Sequence, residues 1–155
     1  MFFAKGVIIV EGWAEELLIP VIANKLGYNL TNKEISIVNV GSTAYIRYAN
    51  IFIRTDGKIL NMPISIVTDL DVSPEKIKKE EVELDTIEYS EISHEVELEK
   101  SKKILDSLAL PDESNVKILI SPHWTLEWCL YLSSTLNECF KECVSKVHSK
   151  TEGFK

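Results

Sequence analysis

Four short segments rich in β-branched apolar residues predict the strands of this protein. They cover residues 5–10, 35–40, the segment that begins at Pro63, and 117–120. Each segment is almost continuously apolar and does not alternate with polar residues. This pattern is typical of strands that are buried on both faces of a parallel sheet.

Helical spacing of apolar residues predicts the segments between these strands. Helices are expected at about residues 13–25, 43–53 and 124–147. The first of them has an apolar stripe that predicts a face packed into the core. This stripe consists of Leu17, Leu18, Val21, Ile22 and Leu26. Strands that alternate with helices predict an α/β fold, with a mainly parallel sheet flanked by helices.

Acidic residues follow two of the predicted strands. Glu11 comes directly after the first strand, and Asp69 and Asp71 come directly after the third. The carboxyl ends of parallel strands line the ligand crevice of an open α/β sheet, so these acids are expected to meet there. Carboxylates held together repel one another, and hard divalent cations such as Mg²⁺ and Mn²⁺ remove that repulsion. The pattern predicts a metal site suited to phosphoryl chemistry.

Glu15 extends the first acidic cluster, because it lies four residues after Glu11, close to one helical turn. Glu16 is expected to face solvent. Gly41 and Ser42 follow the second predicted strand, where their backbone N–H groups could bind a phosphate. A simple strand-to-helix turn is an equally good explanation for this pair.

The sequence resembles the Toprim domain, whose pattern is a Glu after one strand and an Asp-x-Asp after a later one, here Glu11 and residues 69–71. It resembles more closely the OLD family (overcoming lysogenization defect) of nucleases. The matching segments are residues 2–12 with Glu15, then 17–20, 35–42, 67–71, and the Thr-Leu-Glu motif within 124–128. The resemblance runs through about residues 2–132. It implies one Toprim domain, Rossmann-like in fold, over residues 1–155.

The resemblance also implies a two-metal endonuclease that hydrolyses DNA phosphodiester bonds with Mg²⁺ or Mn²⁺. The implied metal ligands are Glu11, Glu15, Asp69, Asp71 and Glu127, of which Glu11, Asp69 and Asp71 are also catalytic. Glu127 has an alternative explanation, since a carboxylate near the start of a helix is favoured by the helix dipole.

Family members carry a basic residue, usually Lys, after the last helix, and Lys150 is a loose match to it. They also carry an ABC-type ATPase domain before the Toprim domain. No Walker A pattern occurs in this sequence, so we expect the ATPase on a separate segment or subunit. A homodimer and a role in anti-phage defence are further expectations from the resemblance.

Composition narrows these expectations. The length of 155 residues suits one domain, and the net charge of −7 argues against a free-standing basic DNA clamp. Residues 73–103 are dense in charge and predict a solvated helical or partly ordered excursion. No apolar run approaches the length of a membrane span, and three cysteines at one end form no secreted disulfide framework. The cytoplasm is therefore the expected location.

Two alternatives to a DNA endonuclease remain open at this point. The first is another Toprim activity, such as primase-like or RNA-processing chemistry. The second is a regulatory or assembly module that binds metal but is inactive on its own.

Overall fold

Four parallel strands form a sheet in the computed structural model, which describes residues 3–42, 44–52, 61–71, 86–108 and 115–148. The elements in chain order are β1 (Gly6–Val10), α1 (Trp13–Lys25), β2 (Ile35–Asn39), α2 (Tyr45–Ala49), a 3₁₀ turn (Asn50–Phe52), β3 (Ile64–Thr68), α3 (Thr86–Leu108), β4 (Val116–Ile120), α4 (Leu126–Leu132) and α5 (Asn137–Val147). The predicted α/β class and mainly parallel sheet are confirmed.

The strand order is β2-β1-β3-β4, and every neighbouring pair is parallel. Val7 lies opposite Ile64, and Val10 lies opposite Val67. Because the central strands run in the same direction, the residues that follow them meet at one edge of the sheet. We call this edge, where the strands end, the carboxyl edge.

One face of the sheet carries the core. Its buried strand residues pack under α2, the 3₁₀ turn and α3. The core cluster consists of Val7, Ile9, Tyr45, Ala49, Phe52, Ile64, Ile66, Ile104 and Val116. Burial of an apolar side chain of this size contributes about 1.5–3 kcal/mol to folding, so this face holds the sheet together.

The prediction that the apolar face of α1 packs into the core is wrong. The helix has the expected bounds, but none of its residues is buried, and Leu17 and Leu26 are 66% and 69% exposed. The physical reason is position. α1 packs against β2, the edge strand of the sheet, so much of its apolar surface extends beyond the strands.

The long final helix predicted at 124–147 is two helices, α4 and α5. Ser133 has an extended backbone, and its hydroxyl accepts hydrogen bonds from the amides of Thr135 and Leu136 at 3.4 and 3.2 Å. A serine that satisfies nearby amides offers the chain an alternative to continued helix, which explains the break. The helix predicted at 43–53 is also shorter: α2 gives way to the 3₁₀ turn, and residues 43 and 53 lie outside the described ranges.

The charged segment predicted at 73–103 is helical from residue 86, and its described side chains, from residue 94 on, are exposed or half-buried; the core contact of this helix comes just after the segment. α3 occupies Thr86–Leu108, and its Ile104 is 4% exposed. The part of the segment before residue 86 lies outside the described ranges. None of the described helices is long and apolar enough to cross a membrane.

Candidate active site at the carboxyl edge

An open cleft of about 370 Å³ lies at the carboxyl edge, and acidic residues line it. They come from four places in the chain: Glu11 from the end of β1, Glu15 from the first turn of α1, Asp69 from the end of β3, and Glu127 from the first turn of α4. Four of the five predicted metal ligands therefore face one opening. Asp71 lies close enough to these acids that its negative charge raises the pKa values of both Glu11 and Asp69.

Glu11 is held in place from below by Thr68, the last residue of β3. The Thr68 side chain is buried, and its hydroxyl donates a hydrogen bond to Glu11 Oε1. The buried Tyr45 hydroxyl is hydrogen-bonded to the Thr68 side chain, so a polar contact runs from the core to the cleft. Burial raises the pKa of Glu11, and the Thr68 hydrogen bond acts in the opposite direction. Neither Thr68 nor Tyr45 was among the site residues predicted from the sequence.

Asp69 carries the largest electrostatic penalty in the cleft. Burial raises its pKa from 3.8 to about 6, and the charge of Glu15 adds to the effect, followed by those of Asp71 and Glu11. A carboxylate whose neighbours are mostly negative is costly to ionise. Asp69 therefore favours either a proton or a nearby cation.

The turn that carries Asp69 and Asp71 is fixed by backbone contacts. Asp71 has a left-handed backbone with φ of 60°, a conformation that Asp tolerates better than most residues. Its N–H donates to Trp124 O at 2.9 Å, and the Leu70 N–H donates to Ser121 Oγ at 3.0 Å. Ser121 directly follows β4, so the loop after that strand supports the turn.

A lysine that was not among the predicted site residues contacts the acidic turn from α3. The Lys100 ammonium donates to the backbone oxygen of Asp69 and lies 3.3 Å from Asp71 Oδ2. Its side chain is only 21% exposed. A signal was present in the sequence: Val96, Lys100 and Ile104 follow one another at four-residue spacing and share one helix face.

Of Gly41 and Ser42, which follow β2, only Ser42 lines the cleft. Gly41 has a positive φ of 64°, which favours glycine. Its N–H donates to Asn39 Oδ1 at 2.8 Å, and the Asn39 side-chain amide donates to Glu16 Oε2 at 2.8 Å. Glu16 thus contacts Asn39, whereas the sequence predicted that it faces solvent. A phosphate contact through the Gly41 amide requires the bond to Asn39 to break.

The Thr-Leu-Glu motif places Glu127 at the start of α4. Thr125 caps the helix, since its side chain accepts a hydrogen bond from the Trp128 amide at 3.3 Å. The cap fixes the first turn and directs Glu127, which is exposed, toward the cleft. Lys150, the loose match to the basic residue that the family resemblance implies, lies outside the described residues.

The donor chemistry of the cleft fits a hard divalent cation. All five candidate ligands are carboxylates, the oxygen donors that Mg²⁺ and Mn²⁺ prefer. Among the described residues, no group of three or more His, Cys, Asp or Glu side chains is already converged on one point that could hold an ion. The acids line the opening and would have to rotate toward an ion to ligate it.

Known proteins that resemble this chain share its fold. Residues 2–71 match the family described as overcoming lysogenization defect protein-like, TOPRIM domain. The C-terminal region of the Xanthomonas campestris pv. campestris OLD protein, phased with iodine, has a TM-score of 0.60 at 23% identity, covering 98% of this chain and 67% of that one. The C-terminal region of the Burkholderia pseudomallei OLD protein has a TM-score of 0.53 at 22% identity, covering 97% and 78%. A comparison with curated proteins finds no match. Residues 2–71 are therefore similar to the Toprim domain of OLD-like proteins, and the chain has the same fold as the C-terminal regions of these OLD proteins.

Proposed function

We propose that this protein is a divalent-metal-dependent DNA endonuclease domain that hydrolyses phosphodiester bonds. The observation that carries the proposal is the cleft at the carboxyl edge, where Glu11, Glu15, Asp69 and Glu127 face one opening. These acids come from four separate elements, so the fold as a whole gathers them. The OLD-like Toprim family match supports a nuclease-type domain.

Electrostatics supports a cation as the missing partner of the cleft. Burial and the neighbouring carboxylates raise the pKa of Asp69 to about 6, so the metal-free fold pays for an ionised Asp69 at neutral pH. The residues that would hold two Mg²⁺ or Mn²⁺ ions are Glu11, Glu15, Asp69, Asp71 and Glu127. When bound, such ions polarise a water molecule and neutralise phosphate charge.

The remaining groups of the site would orient the acidic side chains and contact the phosphate. The Thr68 hydroxyl keeps Glu11 directed into the cleft, and the capped start of α4 directs Glu127 toward it. Ser42 lines the opening and would donate its hydroxyl to a phosphate oxygen, with the Gly41 amide as a second donor once it leaves Asn39. Lys150 would stabilise charge that develops on the phosphate, as the family resemblance implies.

A partner is part of the proposal. The net charge of −7 provides little of the positive surface on which non-specific DNA affinity depends. The solved relatives are C-terminal regions of OLD proteins, which supports attachment to, or assembly with, an N-terminal domain or subunit. We infer that this partner is an ABC-type ATPase, that the protein forms a homodimer in the cytoplasm, and that it acts in anti-phage defence.

Nicking of supercoiled plasmid tests the proposal. We expect Mg²⁺- or Mn²⁺-dependent nicking that is weak for this chain alone and stronger with the ATPase partner present. Asp69→Asn should abolish it, because the variant removes a proposed ligand without changing the side-chain shape. Glu138→Gln, which removes an acid on α5 outside the cleft, serves as the matched control. Cleavage by Asp69→Asn at the wild-type rate would contradict the assignment of the site.

A metal-binding regulatory module is the second candidate. Two observations favour it: the acidic net charge, and the side chains that are not yet converged on an ion within the described residues. The two candidates differ in one measurement. A regulatory module would bind Mn²⁺ through the same ligands but would cut neither DNA nor RNA when the partner is supplied. A nuclease would bind Mn²⁺ and also cut nucleic acid.

A further inference from the structure

The Lys100 side chain reaches from α3 to the acidic turn, residues 69–71, that follows β3. Its ammonium contacts the Asp69 backbone oxygen and lies 3.3 Å from the Asp71 carboxylate. Its positive charge also reaches Glu11, where it lowers the pKa of that carboxyl. Lys100 therefore interacts with three of the proposed metal ligands at once.

The environment of Lys100 differs from that of an ordinary surface lysine. Its side chain is 21% exposed, whereas Lys103, one turn later on the same helix, is 73% exposed and pairs with Glu99. Water and salt screen the Lys103 pair, and such exposed pairs affect stability very little. The same charge on Lys100 acts with less screening, because its side chain is mostly buried.

Two roles are compatible with these contacts, and they predict opposite effects on metal affinity. As a structural support, Lys100 would hold the acidic turn in shape, and its loss would weaken metal binding. As a competing charge, it would repel an incoming divalent ion, and its loss would tighten metal binding.

The backbone contacts of the turn decide between these roles. The Asp71 amide already donates to Trp124 and the Leu70 amide to Ser121, so the turn is fixed without Lys100. The contribution of Lys100 that has no substitute is its charge. Repulsion between its ammonium and a divalent ion is therefore the larger effect.

We propose that Lys100 is an internal cation of the cleft, which neutralises Asp71 in the metal-free protein and must leave it when a divalent ion binds. The proposal rests on the proposed function, since it assumes that the acids of the cleft bind a divalent ion. It assigns Lys100 a regulatory role, because Lys100 sets the ion concentration at which the site fills.

Titration with Mn²⁺ alone, above the pKa of Asp69 and without DNA, tests the proposal. Lys100→Gln removes the charge but keeps a donor for the Asp69 oxygen. It should bind Mn²⁺ at least about fivefold more tightly than wild type, the lower end of typical coupling between two sites. Lys100→Arg keeps the charge and should match wild type. Lys103→Gln, on the exposed side of α3, is the matched control and should also match wild type.

Thermal melts without metal provide an independent measurement. Lys100→Gln should melt below wild type without Mn²⁺, because the acids lose their internal counter-charge, and its midpoint should rise more steeply with added Mn²⁺. This second series also decides the proposal where Lys100→Gln is too unstable for titration. A flatter rise than that of wild type would overturn it.

The outcomes separate this proposal from the proposed function. Unchanged or weaker Mn²⁺ binding by Lys100→Gln would overturn the internal-cation role and leave the nuclease proposal intact. Failure to cut DNA, with the expected order of Mn²⁺ affinities, would overturn the nuclease and support the internal cation. If the wild-type protein binds no Mn²⁺, the variant decides the outcome. Mn²⁺ binding gained by Lys100→Gln would support both the metal site and the internal cation, whereas no binding by either protein would overturn both.

Discussion

In the middle of the sheet, the strands bury Ile9 and Ile66 completely, with Phe52 packed beside them from the 3₁₀ turn. At the carboxyl edge, just past the ends of these strands, the carboxylates of Glu11 and Asp69 are half-buried and line a cleft. The two regions share a backbone and differ in what their side chains do to stability. Apolar burial in the middle stabilises the fold, whereas ionised acids at the edge oppose it.

The raised pKa of Asp69 shows the cost at the edge directly. A carboxyl group that binds its proton more tightly in the folded chain than in the unfolded chain destabilises the fold once it ionises. Folding alone gives no reason for such an arrangement. The middle of the sheet therefore maintains the fold, whereas the carboxyl edge is arranged to bind a positively charged partner.

The largest effect of a substitution on the free energy of unfolding is expected in the middle of the sheet. Ile66→Ala should lower the free energy of unfolding by about 3–4 kcal/mol, since it leaves a cavity at a position with no exposure. Leu119→Ala, on the neighbouring strand but 54% exposed, should cost about 1 kcal/mol or less. Urea denaturation of both variants measures the difference. Equal losses would show that the two faces of the sheet contribute alike.

Thr68 lies between the two regions, and we expect an intermediate effect there. Thr68→Val keeps the buried shape but removes the hydroxyl that donates to Glu11, so the pKa of Glu11 should rise further. Mn²⁺ binding should weaken about tenfold, equivalent to about 1.4 kcal/mol. Thr68→Ser keeps the hydroxyl and should retain most of the affinity. Calorimetric titration compares the two, and equal affinities would remove Thr68 from the site.

The carboxyl edge should make the metal-free protein less stable as the pH rises. Below about pH 3.8 Asp69 is protonated in both states and adds no penalty; as the pH rises through about 6, the folded chain must ionise it at a cost. The loss is about 1 kcal/mol after allowance for solvent screening. The raised pKa of Glu11 acts in the same direction.

Asp69→Asn isolates this contribution, because the amide does not titrate. Urea denaturation at a series of pH values should show a shallower decline for the variant than for wild type, and Mn²⁺ should no longer stabilise it. Parallel pH profiles for the two proteins would mean that Asp69 ionises without strain.

The smallest effect is expected on α1. Leu17 is apolar but 66% exposed, so Leu17→Ser should change the free energy of unfolding by less than about 0.5 kcal/mol. The same substitution at Ile9, in the middle of the sheet, should unfold a large fraction of the protein. A substantial loss at Leu17 would show that the outer surface of α1 supports the fold.

The sequence predicted what is local and periodic. Apolar runs identified the strands, and the residues after Val10 and Thr68 were correctly expected at one edge, because parallel strands all end there. The predicted core face of α1 failed because helical periodicity shows which side chains are apolar, but does not show whether the sheet extends beneath them.

The apolar pattern of the sequence does not predict contacts between segments that are distant in the chain. Lys100 occurs in a run of charged residues, and only the packing of Ile104 into the core directs that helix face to the acidic turn. Thr68 likewise has the sequence pattern of an ordinary strand residue. Its contact with Glu11 depends on the register between β1 and β3, which the sequence does not specify.

The parallel pairing of β1 with β3 also determines when the cleft forms during folding. The Thr68 side chain is hydrogen-bonded to that of Glu11 although 57 positions separate them. Parallel strands cannot be joined by a tight hairpin. The intervening chain must close a long loop before either strand gains its partner, which slows folding in proteins of high contact order. A nascent chain that has emerged only through α1 carries Glu11 and Glu15 without their counterparts. The complete acidic cleft therefore exists only in chains whose central strands have already paired.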